Sequence, residues 1–229
     1  MDWARQCAAV IPCRNEAASI WEIVSAVRLQ LPSVIVVDDG STDGTAGRAI
    51  SAGADTLRHP TNEGKGAALR AGWQRARDRG FAWALTMDGD GQHAPEDISL
   101  FLSCAETTGA ALVIGNRMNG ASAMPWLRRQ VNRWMSRRLS DLVGVALSDS
   151  QCGFRLLNLE VLGRLPLATR QFEIESEVLV AFLTAGCKVE FVPIQVIYKA
   201  RASKIHPLRD GWRWLRWWRS QRRRSWPAK

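Results

Sequence analysis

The chain has 229 residues, 46% of them apolar, and a formal charge of +9. That length suffices for one large core, while no apolar run approaches the ~18 residues of a membrane span and the N-terminal Met-Asp-Trp-Ala-Arg-Gln lacks a signal-peptide pattern. Residues 1–198 are neutral to within one charge, whereas 199–229 hold eleven Lys/Arg against Asp210 alone; this argues against a body coated by nucleic acid and for a local anionic partner at the C-terminal end.

Ala8-Ala-Val-Ile-Pro12 is an apolar run stopped by proline and predicts a first strand. Asn15 to Leu31 follows with Ile20, Ile23, Val24, Val27 and Leu31 at helical spacing and Asn15 as N-cap. Val34-Ile-Val-Val37 suits a strand covered on both faces of a parallel sheet, and it runs into the turn formers Asp38-Asp-Gly-Ser-Thr-Asp-Gly-Thr45. A helix over 45–52, a short strand over 55–57, a helix over 67–79 introduced by Gly64-Lys-Gly66, a strand over 82–87, a helix over 95–104 and a strand over 110–114 continue the rhythm. Strand alternating with helix predicts an α/β fold with a Rossmann-like, mostly parallel sheet. After residue 115 the rhythm breaks into helices over 125–142 and 173–185 around a polar segment, 148–155. A last strand, 189–197, is placed near an edge by Pro193. His59 and His206 stand beside prolines in turn-like surroundings, as surface residues do. The five cysteines, odd in number and without a C-x-x-C pair, read as reduced thiols of a cytosolic protein.

In open α/β sheets ligands bind outside the carboxyl ends of the strands, and the acidic stretches at 38–39 and 88–90 both fall at such ends. Asp88 and Asp90 are like charges one residue apart, an arrangement that a divalent metal held for a diphosphate would relieve. Mg²⁺ and Mn²⁺ take hard oxygen ligands and need only one or two carboxylates besides phosphates and waters; Gly89 and Gly91 let the backbone bend there, and Gln92 offers a further ligand. A bare D-x-D also occurs in solvated turns, as does Asp38-Asp39, so the order of several motifs has to carry the assignment. Gly64-Lys65-Gly66 is a helix start without Walker A spacing, which disfavours a P-loop ATPase.

Val10-Ile-Pro-Cys-Arg-Asn-Glu16, Val36-Val-Asp-Asp-Gly-Ser-Thr-Asp-Gly-Thr45, Asn62-Glu-Gly-Lys-Gly66, Met87-Asp-Gly-Asp-Gly-Gln92 and Gly115-Asn-Arg117 stand in the order of glycosyltransferase family 2, the inverting GT-A enzymes. Asp149-Ser-Gln-Cys-Gly-Phe-Arg155 and Ser203-Lys204 resemble its dolichol- and polyprenyl-phosphate mannose synthase branch. The resemblance covers residues 8 to about 206 and implies a GT-A catalytic domain over 1–206 with a basic tail over 207–229. It implies that Pro12, Arg14, Glu16, Val37 and Asp39 meet the nucleoside, with Arg14 where the family often has an aromatic residue. Asp88, Gly89 and Asp90 would meet the diphosphate; Asp88, Asp90 and Gln92 would hold Mg²⁺ or Mn²⁺. Arg117 would hold a phosphate or the sugar, and Lys199 and Lys204 would reach phosphate from a late loop. Arg128, Arg129 and Asn132 would face the acceptor phosphate, and Asp149 and Arg155 would sit at the rim of the sugar site. The implied reaction moves a sugar from a GDP- or UDP-linked donor to a polyprenyl phosphate, with Asp90, Arg117, Asp149, Arg155 and Lys204 as the catalytic set. A phosphate acceptor is already an anion and needs little general base. Transfer to another lipid or hydroxylated acceptor would need one, with Asp149 as the candidate. A nucleotide-binding scaffold recruited by its basic end is the reading from another class.

Residues 207–224 hold four of the eleven tryptophans, interleaved with arginines. As a helix from about 208 they set Leu208, Trp212, Leu215 and Trp218 or Arg219 near one stripe. Trp and Arg together suit an interfacial helix on anionic lipid, on the cytoplasmic face of a membrane. A helix packed on the body with a solvated arginine face is the plainer alternative, and nucleic acid is not expected. With no spanning segment, membrane contact is expected to be peripheral or through a membrane-protein partner.

Overall fold

The computed structural model describes residues 1–118, 124–197 and 207–222, without the side chains of 207 and 208. Lys199 and Lys204, with Ser203 and His206, lie outside the described residues.

A short helix α1 (Trp3–Gln6) leads into β1 (Cys7–Cys13), α2 (Ile20–Arg28), β2 (Val34–Asp39), α3 (Thr45–Ser51), β3 (Asp55–His59), α4 (Lys65–Asp78) and β4 (Trp83–Thr86). A 3₁₀ turn at Pro95–Asp97 opens α5 (Ile98–Thr108), followed by β5 (Leu112–Asn116), α6 (Trp126–Val143), β6 (Arg155–Asn158), α7 (Leu159–Gly163), α8 (Ile174–Thr184), β7 (Val189–Pro193) and α9 (Pro207–Arg222). Among the described residues seven strands form one sheet in the order β3-β2-β1-β4-β6-β5-β7. Every pairing is parallel except those of β6, which runs against β4 and β5. Every residue of β1, β2 and β4 is buried, as covering on both faces requires. The sheet is thus mostly parallel as expected, and β7 is an edge strand.

β6 is the strand that the sequence pattern does not reveal, and it matters most for the site. Thr86 pairs with Arg155, and Arg155 pairs with Ile114, so the beginning of β6 lies at the carboxyl ends of β4 and β5. Its direction brings the loop 149–154 to the rim where the acidic motifs end their strands.

Two local expectations change. Asn15 does not cap α2, which begins five residues later. It has φ 51°, donates its amide to Ser41 Oγ at 2.8 Å and accepts from Thr42 N, so the β1–α2 loop is knitted to the β2–α3 loop. His59 is not a free surface residue: its Nδ1 lies 2.9 Å from Asp39 Oδ1.

α9 packs on the body. Trp214 and Trp218 are buried; the Trp214 indole N–H donates to Ser176 Oγ of α8 at 2.8 Å, and that of Trp218 to the Arg138 carbonyl of α6 at 3.2 Å. Of the expected stripe, Trp218 is buried and Leu215 packs against the core, whereas Trp212 and Arg219 are exposed. The inward side carries Asp210, Trp214, Trp218 and Gln221, and Trp212 points outward.

Candidate active site

The rim is built from five chain segments held close by short polar contacts. Ser19 Oγ donates to the Gly89 carbonyl at 3.0 Å, tying the start of α2 to the acidic motif after β4. Glu16 N donates to Thr45 Oγ1 and Ala17 N to Asp43 Oδ2. Pro12, Glu16 and Val37 are buried there, and Arg14 is exposed beside them. Asp39 accepts from Glu63 N and Gly64 N, each at 2.8 Å, so this carboxylate fixes the loop that starts α4.

That loop delivers Lys65, which the sequence reading treats only as part of a helix start. Its ammonium lies 2.6 Å from Asp88 Oδ1 and 2.6 Å from Glu175 Oε1 in the first turn of α8. Burial alone would favour the neutral amine, but the two carboxylates overcome it and hold Lys65 charged. The same pair works on Asp88: burial opposes its ionisation, yet the lysine charge brings its carboxyl down to about 2. Glu175 is the other functional residue that the sequence reading missed. An acid in the first turn of a helix has an ordinary explanation in the helix dipole and gives no signal of its own.

Asp90 is in the opposite condition. Burial and the charge of Asp88 push its carboxyl upward. One of its oxygens accepts from Gln92 N at 3.0 Å, and among the described residues no cation is paired with it. Gln92 therefore meets Asp90 through its backbone. His93, stacked on Phe154 at 5.2 Å between ring centroids, lies below with Nδ1 3.4 Å from Asp88 N, and burial lowers its basicity. Among the described residues no three His, Cys, Asp or Glu side chains form a self-sufficient metal cage. The donor set fits a hard cation that takes one or two carboxylates and completes its shell with phosphate and water. Close approach is built in. A Cβ on Gly89 would come within 2.9 Å of Cys13 Cβ, and one on Gly153 within 2.8 Å of Asp88 Oδ2 and 3.0 Å of Lys65 Nζ.

Arg117, just beyond β5, forms a buried bidentate pair with Asp149: Nε to Oδ2 at 2.7 Å and Nη2 to Oδ1 at 2.9 Å. Burial opposes ionisation of Asp149, but the Arg117 charge and its hydrogen bonds prevail and hold the carboxyl below its usual range. A carboxylate stabilised in its charged form accepts a proton poorly, so Asp149 is unsuited to act as a general base. Arg155 begins β6 at the rim, but its side chain is turned into the protein. It is buried and donates to the carbonyls of Cys152 (2.7 Å), Glu175 (2.6 Å) and Ser150 (2.9 Å), clamping the 149–155 loop to the start of α8.

The expected acceptor residues share the inner side of α6. Arg128 and Arg129 are half-buried and Asn132 is buried. Arg129 Nε and Asn132 Nδ2 are buried donors without a hydrogen-bond acceptor among the described residues. One turn further on, Ser136 Oγ meets Ser150 Oγ at 3.0 Å, beside Asp149. A positive inner face of α6 thus adjoins the Arg117–Asp149 pair.

The chain is 36% identical over 170 residues to polyprenol monophosphomannose synthase of Mycolicibacterium smegmatis, covering 69% of this chain and 64% of that protein. It is 32% identical over 168 residues to undecaprenyl-phosphate mannosyltransferase of Micrococcus luteus, covering 69% and 68%. In fold it matches glucosyl-3-phosphoglycerate synthase from Mycobacterium tuberculosis, crystallised with Mn²⁺, uridine diphosphate and phosphoglyceric acid, with a TM-score of 0.71 and 23% identity over 95% of this chain and 77% of that one. The model for glycosyl transferase family 2 matches residues 8–165, spanning both acidic motifs, the Lys65 loop and the Arg117–Asp149–Arg155 region, and the chain belongs to that family.

Proposed function

We propose that this glycosyltransferase moves a sugar from a nucleoside diphosphate donor to a polyprenyl phosphate. The observation that carries the reading is the rim itself: Asp90, with no paired cation among the described residues, stands beside a lysine-neutralised Asp88, near Arg117 and the α6 donors that lack an acceptor among those residues. The relatives named for polyprenyl and undecaprenyl phosphates support the acceptor class. We read residues 1–206 as the catalytic unit and 207–229 as a basic appendage whose helix braces it.

Pro12, Arg14, Glu16, Val37 and Asp39 border the nucleoside, with Asp39 holding the 62–64 loop. Asp88 and Asp90 hold a divalent cation, Mg²⁺ or Mn²⁺, with the diphosphate; when bound it supplies positive charge to the departing nucleoside diphosphate. Lys65 keeps Asp88 ionised and fixed. Arg117, oriented by Asp149, presents its guanidinium toward the developing charge, and Lys199 and Lys204 add to it. Arg128, Arg129 and Asn132 position the acceptor phosphate. Because that phosphate is already an anionic nucleophile, attack on the anomeric carbon needs placement more than proton removal, and inversion follows from a single displacement.

The test is nucleoside diphosphate release from GDP- and UDP-sugars with Mn²⁺ or Mg²⁺, with and without a detergent-dispersed polyprenyl phosphate. Acceptor-dependent release that vanishes in Asp90→Ala, with the melting temperature retained, supports the reading. Full activity in excess chelator removes the cation, and transfer to a hydroxylated acceptor alone removes the phosphate.

A further inference from the structure

The outer side of α6 is built unlike the rest of the surface. Trp126, Leu127, Val131 and Trp134 are 66%, 68%, 47% and 43% exposed, and they lie on one arc of the helix opposite the buried Asn132, Ser136 and Leu139. Single exposed apolar side chains are ordinary, but four on one helix arc form a patch. α9 extends it. Trp134 packs on Trp214 at 5.5 Å between centroids, and the Arg138 guanidinium lies 5.7 Å from the Trp134 ring and 5.8 Å from the Trp218 ring. On α9 itself Trp212 is 62% exposed, with the Arg216 guanidinium 5.9 Å from its ring. Seven of the ten arginines on the two helices are exposed, against two aspartates, one of which, Asp210, is buried and bonded to Arg213.

We propose that the outer faces of α6 and α9 form one docking surface for an anionic phospholipid bilayer, with Trp126 and Leu127 of α6 as its apolar anchors. The chemistry selects this occupant. Tryptophan and leucine enter the interfacial region while arginine heads stay with the lipid phosphates. A second copy of this chain joined through the same patch would bring the arginines of both copies together, which like charges oppose. The patch departs from the reading of the tail alone as the anchor, since Trp214 and Trp218 face the protein. It rests in part on the acceptor assignment above, because the inner side of α6 carries Arg129 and Asn132. A polyprenyl phosphate anchored in the bilayer then has only one helix thickness between lipid and site.

The experiment is co-sedimentation of the full chain with phosphatidylcholine vesicles, with and without phosphatidylglycerol, at low and high salt. Trp126→Glu and Leu127→Glu are the test variants. An acid in the first turn of a helix is tolerated or favoured, so the fold is not endangered, and circular dichroism checks it. Leu29→Glu, at an 87% exposed position following α2, controls for added charge. Binding of the wild type to anionic vesicles, weakened by salt and reduced about tenfold or more by the α6 variants but not by Leu29→Glu, supports the surface. Equal binding by all variants, equal binding to neutral and anionic vesicles, or a dimer in light scattering that the α6 variants dissociate, overturns it. So does tighter binding to a DNA oligomer that Leu127→Glu leaves intact. Melting temperature with GDP or UDP and Mn²⁺ is read in parallel. If neither nucleotide shifts it while variant-sensitive vesicle binding persists, the surface stands and the enzymatic reading fails.

Discussion

Asp88 and Asp90 share a motif but not an environment, and the difference sets what each replacement does. Lys65 neutralises Asp88 and also reaches Glu175, so removing it leaves two buried carboxylates uncompensated beside a third. Lys65→Met should lower stability by about 3–5 kcal/mol, the usual cost of breaking a buried ion pair. Mn²⁺ should raise the melting temperature of this variant more than that of the wild type, since a cation can fill the gap. A smaller Mn²⁺ shift in the variant would mean that Lys65 and the metal do not serve the same charges. Asp149 gives a pH prediction. Its folded-state pKa is depressed, so the stability from its pair with Arg117 is present above the ordinary aspartate range and is lost as pH falls through the lower folded value. Chemical denaturation should show no contribution from this pair to pH dependence between about pH 5 and 8. Asp149→Asn should be less stable than wild type throughout that window and gain on it only in stronger acid. The aspartates were legible because carboxylates after an apolar strand are conspicuous. Lys65 was not, since a lysine between two glycines looks like any helix start until the fold brings Asp88 and Glu175 to it.

At the scale of elements, periodicity found the described strands other than β6 and most helices, but not their neighbours. Residues 15–19 permit a helix continuous with α2; bonds to Ser41, Asp43 and Thr45 decide otherwise, and those partners lie around the turn from β2 into α3. β6 is four residues long, and nothing in Arg-Leu-Leu-Asn marks a strand inserted between two others. α9 was legible as a helix but not its inward side, because tryptophan and arginine populate all of its faces. That orientation now makes the tryptophans unequal. Trp214→Ala should cost about 3–5 kcal/mol by emptying a packed position and losing the bond to Ser176. Trp212→Ala should stay within about 0.5 kcal/mol. Urea titration separates the two, and similar values would mean that α9 does not pack as described. By the same packing, cutting the chain before α9 should lower the melting temperature as well as membrane binding.

For the whole molecule, the α/β class and the rim at the strand ends followed from the alternation of strand and helix, while the strand order did not. Local patterns carry no information on which strands become neighbours. That order has a consequence in time. Asp88 and Lys65 come from the first half of the chain, whereas Glu175, Gly153 and Asp149 come from the second. They meet only when β6 has entered the gap between β4 and β5, antiparallel to both. Pairings between distant segments form slowly because long loops must close first. On refolding from urea, the far-ultraviolet helix signal should therefore return before nucleotide-dependent fluorescence changes do, and simultaneous recovery would contradict this. By this expectation the rim forms late, and a ligand bound there would report that the two halves of the chain have joined.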